Sequence, residues 1–264
     1  MRQHLLLCGL LCLGLFTSAQ AKVVGEEINY QSDGTTLKGY LAYDTTSKGK
    51  LPGVLVVHEW WGHNEYARER ARKLAKLGYV ALAVDMYGDG KQATHPEDAQ
   101  KFSSEIANNM PLGQARFEAA MAVLKNHKAT DKSDIAAIGY CFGGAVVLQM
   151  AREGLDLDAV VSFHGSLGTP RPAQADTVKA RVMVAHGAAD PFVKPEQITG
   201  FMSEMNQAGV DYRFTAYGGA QHSFTNPTAD KFGKKFNLPL KYNKQADEDS
   251  WRDMLTFLQQ AFAD

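Results

Sequence analysis

The sequence predicts an α/β fold, a mostly parallel central sheet with helices on both faces. Short continuous apolar runs such as Val54-Leu55-Val56-Val57 recur along the chain, and runs of that kind mark strands buried on both sides. Segments of helical periodicity separate them, and strand–helix alternation leads to a parallel sheet covered on two faces. Hydrophobic residues make up 45% of the chain and charged residues 22%, which leaves ample apolar material for such a core.

Residues 28–32 and 36–43 come first and stand outside the alternation. They read as antiparallel strands around Asp33-Gly34, a turn pair whose glycine accepts positive φ. A buried strand follows at 53–57, then a helix at 64–77 with Ala67, Ala71, Leu74 and Leu77 at helical spacing and Gly78 as its stop. The strand at 79–84 leads to helices at 96–108 and 112–127. Next come a strand at 135–139, a helix at 141–152, and strands at 159–163 and 182–185. A helix at 195–207 and a strand at 212–216 precede a last helix at 247–262, which carries Trp251, Met254, Leu255, Leu258 and Phe262 on one face. The stretch 225–244, rich in Lys, Asn and Pro, reads as a long surface loop.

The N-terminus reads as a leader. Arg2 and His4 precede an apolar run over residues 5–16, and Ala19-Gln20-Ala21 gives the small-x-small pattern of a signal-peptidase site. Residues 1–21 are therefore expected to be removed on export to a periplasm or to the outside, leaving 22–264 as one α/β domain. The apolar run falls short of the roughly 20 residues a spanning helix needs, so no membrane anchor is expected. A formal net charge of −1, with its charges scattered, gives no electrostatic basis for binding nucleic acid. Cys8 and Cys12 leave with the leader, so Cys141 is expected to stand alone, unable to form an internal disulfide in an oxidising compartment.

The sharpest local signal is Gly139-Tyr140-Cys141-Phe142-Gly143-Gly144, between a strand and a helix. It has the form of a nucleophile elbow with cysteine in place of the usual serine. Small residues two positions either side let strand and helix approach, and the helix N-terminus favours a thiolate. The acid and base of such a site follow in chain order. Asp190, in His186-Gly187-Ala188-Ala189-Asp190-Pro191, and His222, in Gly219-Ala220-Gln221-His222-Ser223-Phe224, each lie just after a strand. The carboxylate would orient the imidazole, and its other nitrogen would serve the thiol. The loop His58-Glu59-Trp60-Trp61-Gly62 follows the strand at 53–57, where the second oxyanion donor belongs. The backbone N–H groups of Phe142 and Trp60 are the expected pair. Trp61, Tyr87 and Phe224 are expected along the substrate pocket. The remaining histidines show no shared metal-ligand spacing, and no phosphate cradle is present, so neither metal nor cofactor is expected.

These residues, with Asp85-Met86-Tyr87, resemble the dienelactone hydrolase family of the α/β-hydrolase fold, from about residue 28 to the C-terminus. The resemblance implies cleavage of a small carboxylic ester or lactone by a Cys-His-Asp triad through a thioester. It also implies that Glu59 hydrogen-bonds the resting thiol and releases it on substrate binding. Two departures stand out. Family members that cleave dienelactone hold its carboxylate with arginines, one shortly after the Asp-x-Tyr motif and one four residues beyond the catalytic histidine. Here Gly88-Asp89-Gly90 and Asn226 occupy those places, and neither glycine nor asparagine can form such a clamp. The expectation is a monomeric hydrolase of a small ester or lactone. A peptidase or acyltransferase with the same triad stays open, as does a binding protein or thiol sensor on the same scaffold.

Overall fold

The computed structural model describes residues 22–263, so the leader expected over 1–21 lies outside the described residues. Strands β1 (Val23–Ser32), β2 (Thr35–Asp44), β3 (Leu51–Val57), β4 (Val80–Val84), β5 (Thr130–Tyr140), β6 (Ala159–Phe163), β7 (Arg181–Gly187) and β8 (Tyr212–Tyr217) form one sheet. Their order across it is β1-β2-β4-β3-β5-β6-β7-β8. The β1–β2 and β2–β4 pairs are antiparallel, and every pair from β4 to β8 is parallel. This is the predicted mostly parallel sheet with an antiparallel hairpin at one edge.

The strand residues sort by face. In β3, Leu55 and Val57 pack into one apolar cluster while Val54 and Val56 pack into another. Leu82 and Val84 of β4 face the first cluster, and Ala81 and Ala83 the second. The second cluster is covered by α1 (Glu65–Ala75) and α7 (Lys244–Ala261), through Ala67, Ala71 and Leu74 and through Met254, Phe257 and Leu258. Facing alanines on β4 and α1 let that helix sit close. Asn64 caps α1 by accepting the Tyr66 N–H, which fixes where the helix starts. The first cluster is covered by α3 (Met110–Asn126), α4 (Phe142–Arg152) and α5 (Pro195–Gln207). The helix α2 (Pro96–Ala107) packs beside α3, with Ile106 buried in the same cluster.

One expected element differs. The polar stretch at 225–244 contains α6 (Ala229–Phe236), not an open loop. Phe232 and Phe236, one turn apart, stack on Trp61 at ring-centroid distances of 4.6 and 6.0 Å. The lysines that made the segment look solvated, Lys231, Lys234 and Lys235, are exposed. Two aromatic residues at i, i+4 outweigh them, because burial of one helical stripe is enough to dock a short helix. Among the described residues, no helix is long and apolar enough to cross a membrane.

Candidate active site

Five of the parallel strands end at one place. Cys141 follows β5, His164 follows β6, Asp190 follows β7 and His222 follows β8, while Trp60 follows β3. This is the carboxyl edge of a parallel sheet, where open α/β sheets bind ligands.

The turn at Cys141 is tight. Its φ of 53° and ψ of −114° lie in a region that non-glycine residues avoid. A side chain at Gly139 would run into the Gly143 carbonyl, and one at Gly143 into the carbonyls of Val57 and His58. Only glycine at both positions lets β5, the elbow and the β3 loop close on one another. The Gly143 N–H donates to the His58 carbonyl at 3.1 Å, which ties the elbow to that loop.

The structure brings three predicted residues into one line. His222 Nε2 lies 3.1 Å from Cys141 Sγ, and His222 Nδ1 lies 2.8 Å from Asp190 Oδ2. The second Asp190 oxygen accepts the Phe192 N–H at 2.9 Å. Burial of the imidazole opposes its charge. The negative charge of Cys141 and the hydrogen bonds to Asp190 and Cys141 outweigh that burial and lift the His222 pKa to about 10. At neutral pH the ring therefore holds both protons, one toward the carboxylate and one toward the sulfur.

Phe142 and Trp60, the expected oxyanion donors, both line the cavity onto which the thiol opens. Among the described residues, neither backbone N–H is taken by a backbone acceptor. As the first residue of α4, Phe142 has no partner within the helix, so its amide is free for a ligand.

A sequence model of the dienelactone hydrolase family matches residues 37–262. The chain belongs to the dienelactone hydrolase family. It is accordingly a carboxylic-ester hydrolase of the α/β-hydrolase fold. The solved structure described as m3DLH superposes with a TM-score of 0.85 at 38% identity, covering 90% of this chain and 98% of that one. A dienelactone hydrolase-like promiscuous phosphotriesterase from metagenomic libraries gives a TM-score of 0.85 at 35% identity, with 90% and 98% covered. A protein of Aquifex aeolicus provisionally named carboxymethylenebutenolidase is 29% identical over 208 residues, 77% of this chain and 88% of that protein.

Several of the expected residues have partners away from the thiol and the cavity lining. Glu59 does not contact the thiol. Its carboxylate accepts the Ser223 hydroxyl at 2.8 Å and the Asn226 amide at 2.6 Å, while the sulfur faces His222. Burial pushes the Glu59 carboxyl up, and the two hydrogen bonds pull against that rise. Asn226, noted in the sequence only for not being arginine, therefore has a definite partner. The β3 loop and the His222 loop are joined through these bonds. Trp61, Tyr87 and Phe224 lie outside the cavity lining. Trp61 is buried under α6, and Tyr87 sits behind Trp60, donating its hydroxyl to the Trp60 carbonyl at 3.1 Å. Phe224 is fully buried between His164 and Tyr217.

His164 is the site residue that sequence reasoning passed over. Its φ of 41° is also left-handed, and its ring is fully buried. Nδ1 accepts the Cys141 N–H at 3.1 Å, so the ring proton sits on Nε2 and is donated to Thr225 Oγ1 at 2.7 Å. Burial holds its pKa well below the ordinary histidine range, and the ring stays neutral beside His222, 5.3 Å away. The available signal was its place directly after an apolar strand and before Gly165. His58 is likewise buried and neutral: Nδ1 donates to the Glu59 carbonyl at 2.6 Å and Nε2 accepts the Met86 N–H at 3.3 Å. Among the described residues, no cluster of His, Cys, Asp and Glu has the arrangement of a metal site.

Proposed function

We propose that Cys141, His222 and Asp190 hydrolyse a small carboxylic ester or lactone through a thioester on Cys141. The observation that carries the reading is the continuous line Sγ–imidazole–carboxylate, with separations of 3.1 and 2.8 Å. The sulfur, whose proton already rests on Nε2, attacks the acyl carbon as thiolate. The carbonyl oxygen becomes an oxyanion, and the Phe142 and Trp60 amides are the donors within the cavity that can receive it. The tetrahedral species collapses by breaking the acyl–oxygen bond, and Nε2–H protonates the departing alkoxide. His222, now neutral, takes a proton from water as that water attacks the thioester, and the thiolate leaves to restore the pair. Asp190 keeps Nδ1 protonated throughout, which presents Nε2 to the sulfur in both half-reactions.

The test is turnover of an activated ester together with mass analysis of the quenched enzyme. We expect an acyl adduct on the peptide containing Cys141, and a loss of kcat of about a thousandfold or more in Cys141→Ala and His222→Ala. Turnover surviving in Cys141→Ala overturns the reading. A burst with no steady state favours the thiol-sensor alternative. Product transferred to an added alcohol or amine in preference to water favours the acyltransferase.

A further inference from the structure

The cavity over the thiol has a volume of about 370 Å³. That lies at the small end of ligand cavities, which run from roughly 300 to 1,000 Å³. Its wall holds Trp60, Ala107, Phe142, Ala145, Val193 and Leu240, and its polar groups are the uncharged Gln100, Ser103, Ser104 and Ser166. Apart from the reacting pair, no lining side chain can carry a charge. Two buried arginines are committed to other partners. Arg116 donates to the Met86 carbonyl at 2.7 Å, and Arg70 is buried against Asp247 at 2.7 Å. The imidazole in the lining, His222, already has its two nitrogens on Asp190 and Cys141.

Phe192 adds a second feature. It is one of two large apolar side chains that stand exposed among the described residues, at 50% exposure. The other, Leu77, lies beyond the end of α1, but Phe192 lines this cavity with its ring edge-on to His222 at 4.9 Å. Its backbone is fixed by the hydrogen bond to the triad acid. A leaving group that accepts the Nε2 proton must pass beside that ring.

We propose that the substrate is an uncharged ester with apolar groups on both sides of the scissile bond. Its acyl group packs against Trp60, Phe142 and Ala145, and its alcohol group against Phe192, the specificity-determining residue. This deepens the hydrolytic reading above and rests on it. A carboxylate-bearing acyl group would lose its hydration in this cavity with no cation to replace it, and would face the negative charge of the sulfur. Apolar groups bring no such cost, and they remove from water both themselves and the exposed Phe192 ring.

The experiment compares two pairs of esters on the full-length enzyme. The first pair is p-nitrophenyl pentanoate against p-nitrophenyl hemisuccinate, each rate divided by its rate with hydroxide. We expect kcat/KM to favour the pentanoate by a hundredfold or more. The second pair is phenyl butyrate against vinyl butyrate, measured in wild type, Phe192→Ala and Phe192→Leu. The phenyl-over-vinyl ratio of kcat/KM should fall about tenfold in Phe192→Ala and recover in part in Phe192→Leu, with the loss expressed mainly in KM. Hemisuccinate cleaved as fast as pentanoate overturns the neutral class, and a ratio unmoved by Phe192→Ala overturns the role of Phe192. Both results leave the hydrolytic reading standing, because turnover still depends on Cys141. Absence of Cys141-dependent turnover for all four esters removes that reading, and the proposal with it.

Discussion

Three non-glycine residues with positive φ meet at this site: Cys141 at 53°, His164 at 41° and Ser223 at 57°. Each costs backbone energy, and such residues persist only where surrounding contacts over-determine them. Here the contacts can be named. The Cys141 N–H is shared between the Phe163 carbonyl at 3.0 Å and His164 Nδ1, and the Ser223 hydroxyl is held by Glu59. The imidazole between them carries a proton that burial alone would remove. The sign follows from its partners. With a pKa raised to about 10 from the ordinary 6.5, His222 is fully protonated below pH 6.5 and loses that proton only as pH rises toward 10. A downfield proton NMR signal from its ring N–H should therefore persist through pH 8. In Cys141→Ala, where the sulfur's charge and hydrogen bond are gone and burial still opposes the charge, the titration should move down by at least a unit. An unchanged midpoint in that variant would show that the sulfur does not hold the proton in place.

At the scale of the element, α6 is the part of the site least expected from its composition. Its short aromatic stripe meets a tryptophan from the β3 loop, and Trp61 keeps only 2% of its surface exposed. Truncation of such a residue typically costs about 3–5 kcal/mol. Trp61→Ala should lower the unfolding free energy by that order in urea titration, and should raise hydrogen exchange within residues 229–236 before the rest of the chain. Protection in α6 equal to wild type would mean that the helix is held by something other than this stack. The strands and long helices were legible because each repeats its pattern over several turns or alternations. Eight residues with three lysines give no such repetition, and the deciding partner, Trp61, lies far away in sequence. The same reason separates the triad from the pocket wall. Cys141, Asp190 and His222 are set by strand ends that a sequence can mark. Ser103, Val193 and Leu240 reach the cavity from α2, from the chain beyond β7 and from the return after α6, which only the packed chain brings together.

Across the whole molecule, one chain of contacts runs from the far helix to the nucleophile. Asp247 at the start of α7 pairs with Arg70 of α1 at 2.7 Å, and Arg70 donates to the Thr225 carbonyl. The Thr225 hydroxyl meets Tyr66 at 2.6 Å and accepts from His164, which in turn holds the Cys141 amide. Arg70 is buried, with its guanidinium over the rings of Tyr66, Tyr140 and Trp251 at 5.0 to 5.4 Å. Removing one member of a buried pair costs about 3–5 kcal/mol, since the other is left uncompensated. Arg70→Met should show that loss in chemical denaturation, and Arg70→Met with Asp247→Asn should regain part of it. A loss confined to a few tenths of a kcal/mol would place the pair among contacts that contribute little. The fold around this chain was readable because α1 and α7 announce their apolar faces, whereas a buried arginine looks in sequence like any surface one.

The excursion that carries α6 leaves the backbone just past His222 and comes back beside it. The Lys241 N–H binds the His222 carbonyl at 3.1 Å, and the Asn243 N–H binds the Phe224 carbonyl at 3.0 Å. Both ends are thus stitched to the same short length of chain that presents the imidazole. The segment between them, with Leu240 in the cavity lining and Phe232 and Phe236 on Trp61, is thus anchored at both ends beside the base, so a shift of α6 is felt at the imidazole only through those two tethers and the contacts of Thr225 and Asn226.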